Sequence, residues 1–571
     1  MARQIRANIE LESGKQLTHY KSLEIRQDLF GHHSFEIIVP FEMLEKEDEI
    51  FFHQSHKDIC GKTVTISFEP VLTKGSYNFQ FRGIVTELYL SNLSDLCNVF
   101  VIKGYSTTIV LEDSCMRRTF LNKTIQQIFD SVLGPYPRNV IRKKLVARHK
   151  DPIKYCVQYD ETNFSFLCRL AAEYGEWWFY NGRELVLGQS DTGDETDFII
   201  DGAQSFDMSI TLMPAKFSLS SYDYTKDQLY KGGSSAQQVE GLSTFGKFAL
   251  DGSESLFSQE NHLIAELPVY DQHELDELIS FRRSCIASNL IVFHGRGEDP
   301  ELTLSAIVNV SGTRPEKGGR SSKESFGKYR ITNIVHSVDA AGNYSNTFRA
   351  VPEAVKFPPV NPHVVPPAGR SELATVIDQE DPDKMGRVRV QFNWEGNDNE
   401  SDWVRVAHFY TGGGDRKGMH FIPEKDAQVV VGYEGGRPER PFILTCLYPK
   451  KEGMHTLKNN NDEKFIYTRG GNTIELIDKK EECSIRIGNV NKPDTTITLE
   501  FKDSGIISIS TGGIIQIDSQ DSVTIKAKQK LSLEAMDIEI RATMSAKISS
   551  ANTELSGDAM ATIKAPLVKI N

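Results

Sequence analysis

The sequence predicts a mixed, mainly β fold in three parts: an N-terminal α+β part, a small β-barrel of the OB type, and a C-terminal intertwined triple-stranded β-helix that forms as a trimer. Three observations predict it. Helical and alternating hydrophobic patterns are mixed over residues 1–360, alternation alone marks residues 372–449, and paired apolar residues recur every seven or eight positions over 505–571. A proline-rich linker at 361–371 separates the first two parts, and residues 450–504 lead into the third.

The composition is that of a globular chain. Of 571 residues, 39% are hydrophobic and 25% are charged, which argues against a disordered chain. The net charge of −13 disfavours a binder of duplex nucleic acid, which usually carries a basic face. We expect no signal peptide and no transmembrane segment, because no apolar run follows the N-terminal residues and no window holds 18 consecutive apolar residues. The eight cysteines lie far apart without a CxxC motif, as reduced thiols do.

Residues 1–360 are expected to contain both helices and strands. Helical spacing of apolar residues predicts helices over Asn122–Gly134, with Asn122 as N-cap, over Thr162–Gly175 and over Asp271–Leu290, each packing on a core. Strands are predicted at Ser34–Pro40, Thr63–Phe68 and Val99–Lys103.

Residues 372–449 are predicted to form only strands. Apolar and polar residues alternate in Arg387–Phe392, Trp403–Ala407 and Ala427–Tyr433, and clusters of Gly, Asp and Asn separate them. About five short strands in a segment of this size suit a small OB barrel.

The last part has an unusual composition. After Phe501 the remaining 70 residues contain no Phe, Tyr or Trp. Apolar residues instead recur in pairs two residues apart, with steps of 8, 8, 8, 7, 8, 7, 8 and 7 between the first members of successive pairs. Two residues that are two positions apart share one face of a strand, so the pattern predicts a repeated short strand with a corner.

The repeat is too short to close a full turn of a β-helix within one chain. Three copies of the chain around one axis would bury the paired residues and pair every strand edge, and a narrow axial core excludes aromatic side chains. An ordinary amphipathic sheet is the alternative. The residues that we predict to form this axial core at the trimer interface, called the needle core below, are Ile507, Ile509, Ile515, Ile517, Val523, Ile525, Leu531, Leu533, Ile538, Ile540, Ile548, Leu555 and Ile563.

We assign no catalytic, cofactor-binding or metal-binding residue from the sequence. His53, His56 and Cys60 have the residue types of a zinc site but lack a second half, so turn and packing roles are favoured. His336 is expected to be a hydrogen-bonded residue of a sheet. For the pair Trp177-Trp178, whose side chains would point to opposite faces of a strand, two interpretations stay open: one ring is an exposed anchor, or both rings are buried in cores.

Several motifs resemble those of the VgrG family, the spike proteins of bacterial type VI secretion and related contractile injection systems. The residues of the OB motif are Gly386, Arg387, Val388, Trp403, Val404, Pro423, Pro438 and Pro441. In the N-terminal part, Tyr159–Leu167, Glu173–Gly175 and Tyr329–His336 are similar to motifs of the family's hub domain. The resemblance covers nearly the whole chain in the order hub, OB barrel and β-helix.

The resemblance implies a structural homotrimer without cofactor or enzymatic activity. In this family the hub docks on an Hcp-like tube protein and other baseplate proteins, the β-helix forms a needle, a PAAR-type protein caps the tip, and effectors ride on the spike. The tip residues would be Val568, Ile570 and Asn571. The resemblance also implies assembly in the cytoplasm, export on firing, and mechanical puncture of the target membrane.

Two alternatives for the function stay open. The first is an enzymatically active spike that hydrolyses peptidoglycan, although residues 450–460 leave no room for the lysozyme domain that phage relatives carry there. The second is an OB-fold binder of nucleic acid that stacks bases on Phe392, Trp394, Phe409 and Tyr410.

Overall fold

A computed structural model describes residues 3–45, 52, 54–71, 75–94, 97–188, 195–200, 204–315, 321–396, 400–413, 417–449, 461–502 and 504–570. The chain divides into two compact units, Met1–Glu452 and Gly453–Asn571. The first unit holds the N-terminal part and the barrel, and the second holds the predicted needle.

The N-terminal part is built mainly from strands. Its described residues form twenty strands, which are β1 Ile5–Leu11, β2 Ser22–Asp28, β3 Ser34–Pro40, β4 Thr63–Pro70, β5 Gln80–Ser94, β6 Cys97–Ser106, β7 Cys115–Lys123, β8 Lys143–Leu145, β9 Ile153–Thr162, β10 Trp178–Tyr180, β11 Leu185–Leu187, β12 Glu195–Ile200, β13 Ser205–Ile210, β14 Phe217–Asp223, β15 Gln228–Gly233, β16 Asn261–Ile264, β17 Ile291–Gly297, β18 Ile307–Pro315, β19 Ser321–Asp339 and β20 Tyr344–Pro352. Five α-helices accompany them: α1 Ser55–Ile59, α2 Ile125–Leu133, α3 Asn163–Glu173, α4 Thr244–Leu256 and α5 Gln272–Ser288.

One twelve-stranded sheet organises this part. Its order is β1-β4-β5-β6-β3-β2-β19-β20-β17-β13, and β18 joins it through β19 and carries β12. Smaller sheets are β10-β11-β8, β15-β14-β16 and β7-β9. The largest core contains apolar residues of β1–β6 together with buried residues of α2 and α3.

The three predicted helices are present, and one of their caps differs from the prediction. Helix α2 begins after Thr124, whose hydroxyl accepts a hydrogen bond from the backbone N–H of Gln127 at 3.2 Å, while the Gln127 side chain accepts one from the Thr124 N–H at 2.9 Å. Asn122 is therefore not the N-cap. It has a positive φ of 51° at the end of β7, so the capping box at Thr124 starts the helix.

The structure answers the open question about Trp177-Trp178 and tests the expectation for His336. Trp177 and Trp178 are 5% and 6% exposed, so core on both sides is confirmed and the exposed anchor is wrong. His336 is fully buried in β19, and its Nδ1 lies 2.8 Å from the hydroxyl of Tyr344 while its Nε2 lies 3.3 Å from Oε1 of Gln27. The prediction of a hydrogen-bonded sheet residue is thus confirmed.

Five strands form the barrel: β21 Glu372–Asp378, β22 Arg389–Phe392, β23 Arg405–Val406, β24 Gln428–Tyr433 and β25 Pro441–Leu447. Their order is β22-β21-β24-β25-β23, with β23 parallel to β25. Alternation along the strands directs Ala374, Val390, Val429 and Val431 inward, where all four are fully buried.

The second unit contains one antiparallel meander over its described residues. Its strands are β26 Glu463–Tyr467, β27 Asn472–Lys479, β28 Glu482–Asn489, β29 Lys492–Glu500 and β30 Ile506–Ser510. From residue 511 to 570 no strand is formed within the chain, and residues 512–570 are exposed throughout. Within one chain, a sheet is therefore formed at β26–β30 and not over residues 511–570.

The core of the large sheet predicts a sensitivity to acid. Burial lowers the pKa of His33 and of His336 from 6.5 to about 3, so both are neutral in the folded chain. The unfolded chain binds these protons below pH 6.5 and the folded chain does not. The free energy of unfolding should therefore fall between pH 6.5 and about 3, by roughly 1.4 kcal/mol per pH unit for each histidine.

Urea unfolding at pH 7.5 and pH 5 tests this expectation. The variant His336→Gln should lose less stability between the two pH values than the unaltered chain, because the contribution of the carboxylates is common to both proteins. An identical loss in both proteins would contradict it.

Candidate functional site

The first question about function is whether the described residues include a metal site. Among the described residues, no group of three or more His, Cys, Asp or Glu side chains could hold a metal ion. Of the three residues considered above for zinc, His53 lies outside the described residues. No helix in the described part of the chain is both long and apolar enough to cross a membrane. The candidate functional features are therefore the OB motif, the junction between the N-terminal part and the barrel, and the apolar face of the second unit.

The OB motif surrounds an ion pair in the barrel. The guanidinium of Arg387 is 7% exposed and donates to both carboxylate oxygens of Asp381, at 2.7 and 3.0 Å, and to Asp383 at 2.6 Å. These hydrogen bonds lower the pKa of Asp381 to about 2. Asp381 also accepts from the backbone N–H groups of Met385 and Arg387, so the pair holds the turn that leads into β22.

The other motif residues are structural as well. Gly386 has a φ of +73°, which glycine adopts most readily, and Val388 and Val404 form an isolated antiparallel bridge in which both are buried. The guanidinium carbon of Arg389 lies over the ring of Trp403, 4.9 Å from the centre of that ring. The prolines of the motif are Pro423 and Pro438, which are buried, and Pro441, which begins β25.

The turn between β24 and β25 docks the barrel onto the N-terminal part. Its Glu439 accepts a hydrogen bond at 3.1 Å from Arg169 of α3, which is 1% exposed. Arg169 also donates to Glu161 at 2.7 and 2.8 Å and to Glu173 at 3.2 Å. Arg440 of the same turn donates to the carbonyl oxygens of residues 265 and 267. One buried arginine thus serves three carboxylates, two from the N-terminal part and one from the barrel.

Burial affects one of these carboxylates, Glu173. It raises the pKa of Glu173 above its ordinary value, although the neighbouring Arg169 acts in the opposite direction. Arg437 of the barrel lies 3.9 Å from Glu173 and 3.3 Å from Glu266. The ionised form of buried Glu173 therefore depends on the neighbouring arginines.

A second contact joins strand β21 to the β7-β9 sheet. Glu372 at the start of β21 accepts hydrogen bonds from Arg117 at 2.7 Å, from the indole N–H of Trp394 at 2.7 Å, and from the hydroxyl of Tyr159. The ring of Tyr159 meets Tyr433 of the barrel edge-on at 6.0 Å. The sequence places Tyr159 in a motif but does not reveal its partner Glu372, which lies 213 residues away in the chain.

The needle core residues share one property in the single chain: every one is at least 56% exposed. Ile507 and Ile509 lie on β30, and the other eleven lie beyond it where the chain makes no strand. Of the predicted tip residues, Val568 and Ile570 are 46% and 90% exposed, and Asn571 lies outside the described residues. The chain by itself therefore buries none of the residues that the repeat singles out.

The meander carries the same pattern at lower residue numbers, which the sequence alone does not reveal. The register places Ile474, Ile487, Ile497 and Ile509 directly opposite one another across four strands. A parallel row contains Leu476, Ile485, Leu499 and Ile507. Members of a row share one face, so the meander carries two apolar rows that lead into the first predicted pair, Ile507 and Ile509. Ile474, Ile487 and Ile497 remain 40 to 43% exposed.

Comparison with known proteins agrees with this order of parts. The family described as phage tail baseplate hub (GPD) matches residues 52–339, half of the chain, and the type VI secretion system/phage-baseplate injector OB domain matches residues 372–448. The type VI secretion system spike protein VgrG4b of Pseudomonas aeruginosa is 24% identical over 414 residues, which are 65% of this chain and 49% of that protein. This chain belongs to the VgrG family.

A further VgrG relative and a solved VgrG structure extend the comparison. The spike protein VgrG1a of the same organism is 25% identical over 476 residues, 74% of this chain and 69% of that protein. The structure of the Francisella PdpA-VgrG complex, lidded, has a TM-score of 0.57 at 9% identity and covers 89% of this chain and 80% of that chain. The mainly β fold class and the OB barrel are thereby confirmed. The chain spans about half the length of VgrG4b.

Proposed function

We propose that this chain forms the homotrimeric spike of a type VI secretion or related contractile injection system. The observation that carries the proposal is the exposed apolar face of the second unit. Thirteen aliphatic residues, most of them in pairs that recur every seven or eight positions, have no place to be buried within one chain. They continue two apolar rows of the meander. Three copies around one axis would bury them and pair the free strand edges.

In this assembly each part has a mechanical task. The twelve-stranded sheet with its helices docks on an Hcp-like tube protein and other baseplate proteins, and the barrel forms the neck. The needle, whose core is the thirteen aliphatic residues, punctures the target membrane and delivers effectors. A PAAR-type protein would bind near the exposed side chains of Val568 and Ile570. The spike assembles in the cytoplasm and leaves the cell on firing.

The two alternatives receive no comparable support from the site. Phe392 is 1% exposed and stacks on Trp394 at 5.2 Å inside the barrel, so only Phe409 and Tyr410 of the four aromatics are free to stack on bases. The VgrG relatives above are named as spike proteins, and the proposed role needs no catalytic residue.

Light scattering on the purified chain tests the oligomeric state. We expect a mass about three times the chain mass of 64.2 kDa, unchanged on dilution, because the needle core exists only between chains. A species of single-chain mass at all concentrations would contradict the proposal.

A further inference from the structure

The strongest unexplained feature of the first unit is a cationic cleft beside strand β8. The cleft has a volume of about 400 Å³, and its lining includes the cations Lys144, Arg148, Lys150 and Lys356. Glu176 is the single carboxylate among its lining residues, and it is 3% exposed with one oxygen engaged by the backbone N–H of His149 at 2.6 Å. The chain carries a net charge of −13, so this concentration of positive charge is local.

Three of the four cations are free to bind a ligand. Among the described residues, the side chains of Lys144, Arg148 and Lys150 make no ion pair and no hydrogen bond, and Lys356 pairs with the exposed Glu240 at 2.9 Å. The guanidinium of Arg148 lies 4.1 Å from the ring centre of Phe357, which fixes it at the wall of the cleft. Unpaired cations in a shared concave site attract anions.

Three of the cations come from one short segment of the chain. In the segment 142–150 the exposed positions are the even-numbered ones, Arg142, Lys144, Val146, Arg148 and Lys150. Lys144 lies on β8, and Arg148 and Lys150 follow the strand. The cleft therefore gathers its positive charge from the end of β8 and the residues after it.

The cleft also has the backbone that an extended peptide needs. β8 is an edge strand, since it pairs with β11 alone in the order β10-β11-β8. Its other face lies towards α2, where Lys143 pairs with Asp130 at 2.7 Å. A peptide strand added to this edge would place its alternate side chains beside Lys144 and Val146.

The floor of the cleft is apolar. Trp177, Val186 and Leu187 line it, and the indole N–H of Trp177 donates to the carbonyl oxygen of Lys356 at 3.1 Å. We propose that this cleft binds an extended acidic segment of a partner protein, whose carboxylates pair with the lysine and arginine side chains. A phosphate site would instead be expected at a helix N-terminus or a glycine-rich loop, and neither β8 nor β11 provides one.

The proposal is tested with the full-length chain and fluorescein-labelled heptapeptides in fluorescence anisotropy. A peptide with alternating Glu and Val should bind, and a peptide with alternating Lys and Val should not. The double variant Lys144→Glu/Lys150→Glu should weaken binding about tenfold or more, because two attractive contacts become repulsive. Both side chains are exposed, so folding should be unchanged, as an unaltered melting temperature would show.

A matched control separates the cleft from general electrostatics. The double variant Lys417→Glu/Lys425→Glu makes the same change of charge at exposed positions of the barrel. Equal weakening in the two double variants would overturn the proposal. Tripolyphosphate and oligodeoxythymidine are the competing probes: tighter binding of either one through Lys144 and Lys150 would also overturn it, because the site would then recognise phosphate.

Discussion

Replacing Ile525 with alanine is expected to destabilise the trimer strongly, although the side chain is 64% exposed in the single chain. Truncation of a buried isoleucine costs roughly 2–5 kcal/mol through lost burial and the cavity that remains. Threefold symmetry repeats the loss in every chain of the assembly. At an exposed position the same change would have little effect, so a large effect has to come from burial between chains.

The measurement is the thermal unfolding of the trimer, followed by light scattering and circular dichroism. Lys526→Ala is the matched control, because the next residue of an extended chain points to the opposite face. We expect a much lower melting temperature for Ile525→Ala than for Lys526→Ala. Equal melting temperatures for Ile525→Ala and the unaltered trimer would show that Ile525 is not axial.

The parts of the fold that depend on local pattern could be predicted from the sequence. Strand β3 occupies Ser34–Pro40 as alternation predicted, and α5 begins after its cap Asp271, whose carboxylate accepts from the N–H of Glu274 at 2.9 Å. Periodicity and capping act over a few residues, so they are visible in a linear chain. The cap of α2 was misassigned because Asn122 and Thr124 are both good capping residues, and only the backbone shows which one precedes the helix.

The apolar rows of the meander were missed for a different reason. Successive pairs such as Ile474 and Leu476, and Ile485 and Ile487, are separated by ten to twelve residues, which does not match the steps of seven or eight beyond Ile507. Antiparallel hairpins need extra residues for their turns, so the period of the sequence changes while the apolar face continues. The register of the strands is what joins the two segments into one face.

The junction between the N-terminal part and the barrel could not be predicted because its partners are distant in sequence. Arg169 and Glu439 are 270 positions apart. A charged residue in a helix is normally solvated, so nothing in the local pattern of α3 distinguishes Arg169 from a surface arginine. Its burial follows from how the turn between β24 and β25 packs on α3.

Replacing Arg169 with methionine is therefore expected to be the most damaging single change in the first unit. It would leave Glu161, Glu173 and Glu439 buried without their shared cation. Breaking a buried ion pair by removing one partner costs roughly 3–5 kcal/mol, mainly through the charge that is left behind. Urea unfolding followed by tryptophan fluorescence measures the loss. Arg26→Met is the control, because Arg26 pairs with Glu24 at the surface and should contribute little.

The pH dependence of this loss identifies its cause. Burial already raises the pKa of Glu173 in the unaltered chain, and loss of the Arg169 guanidinium would raise it further, so Glu173 would take up a proton on mild acidification. A carboxyl group whose pKa is higher in the folded chain than in the unfolded chain stabilises the folded state at low pH. This contribution is lost as the pH rises through the pKa of the folded chain. The deficit of Arg169→Met relative to the unaltered chain should therefore be smaller at pH 5 than at pH 8, since the histidines of the large sheet affect both proteins alike. A deficit of equal size at both pH values would mean that the arginine stabilises the junction by packing of its aliphatic stem, and the three carboxylates would then not depend on its charge.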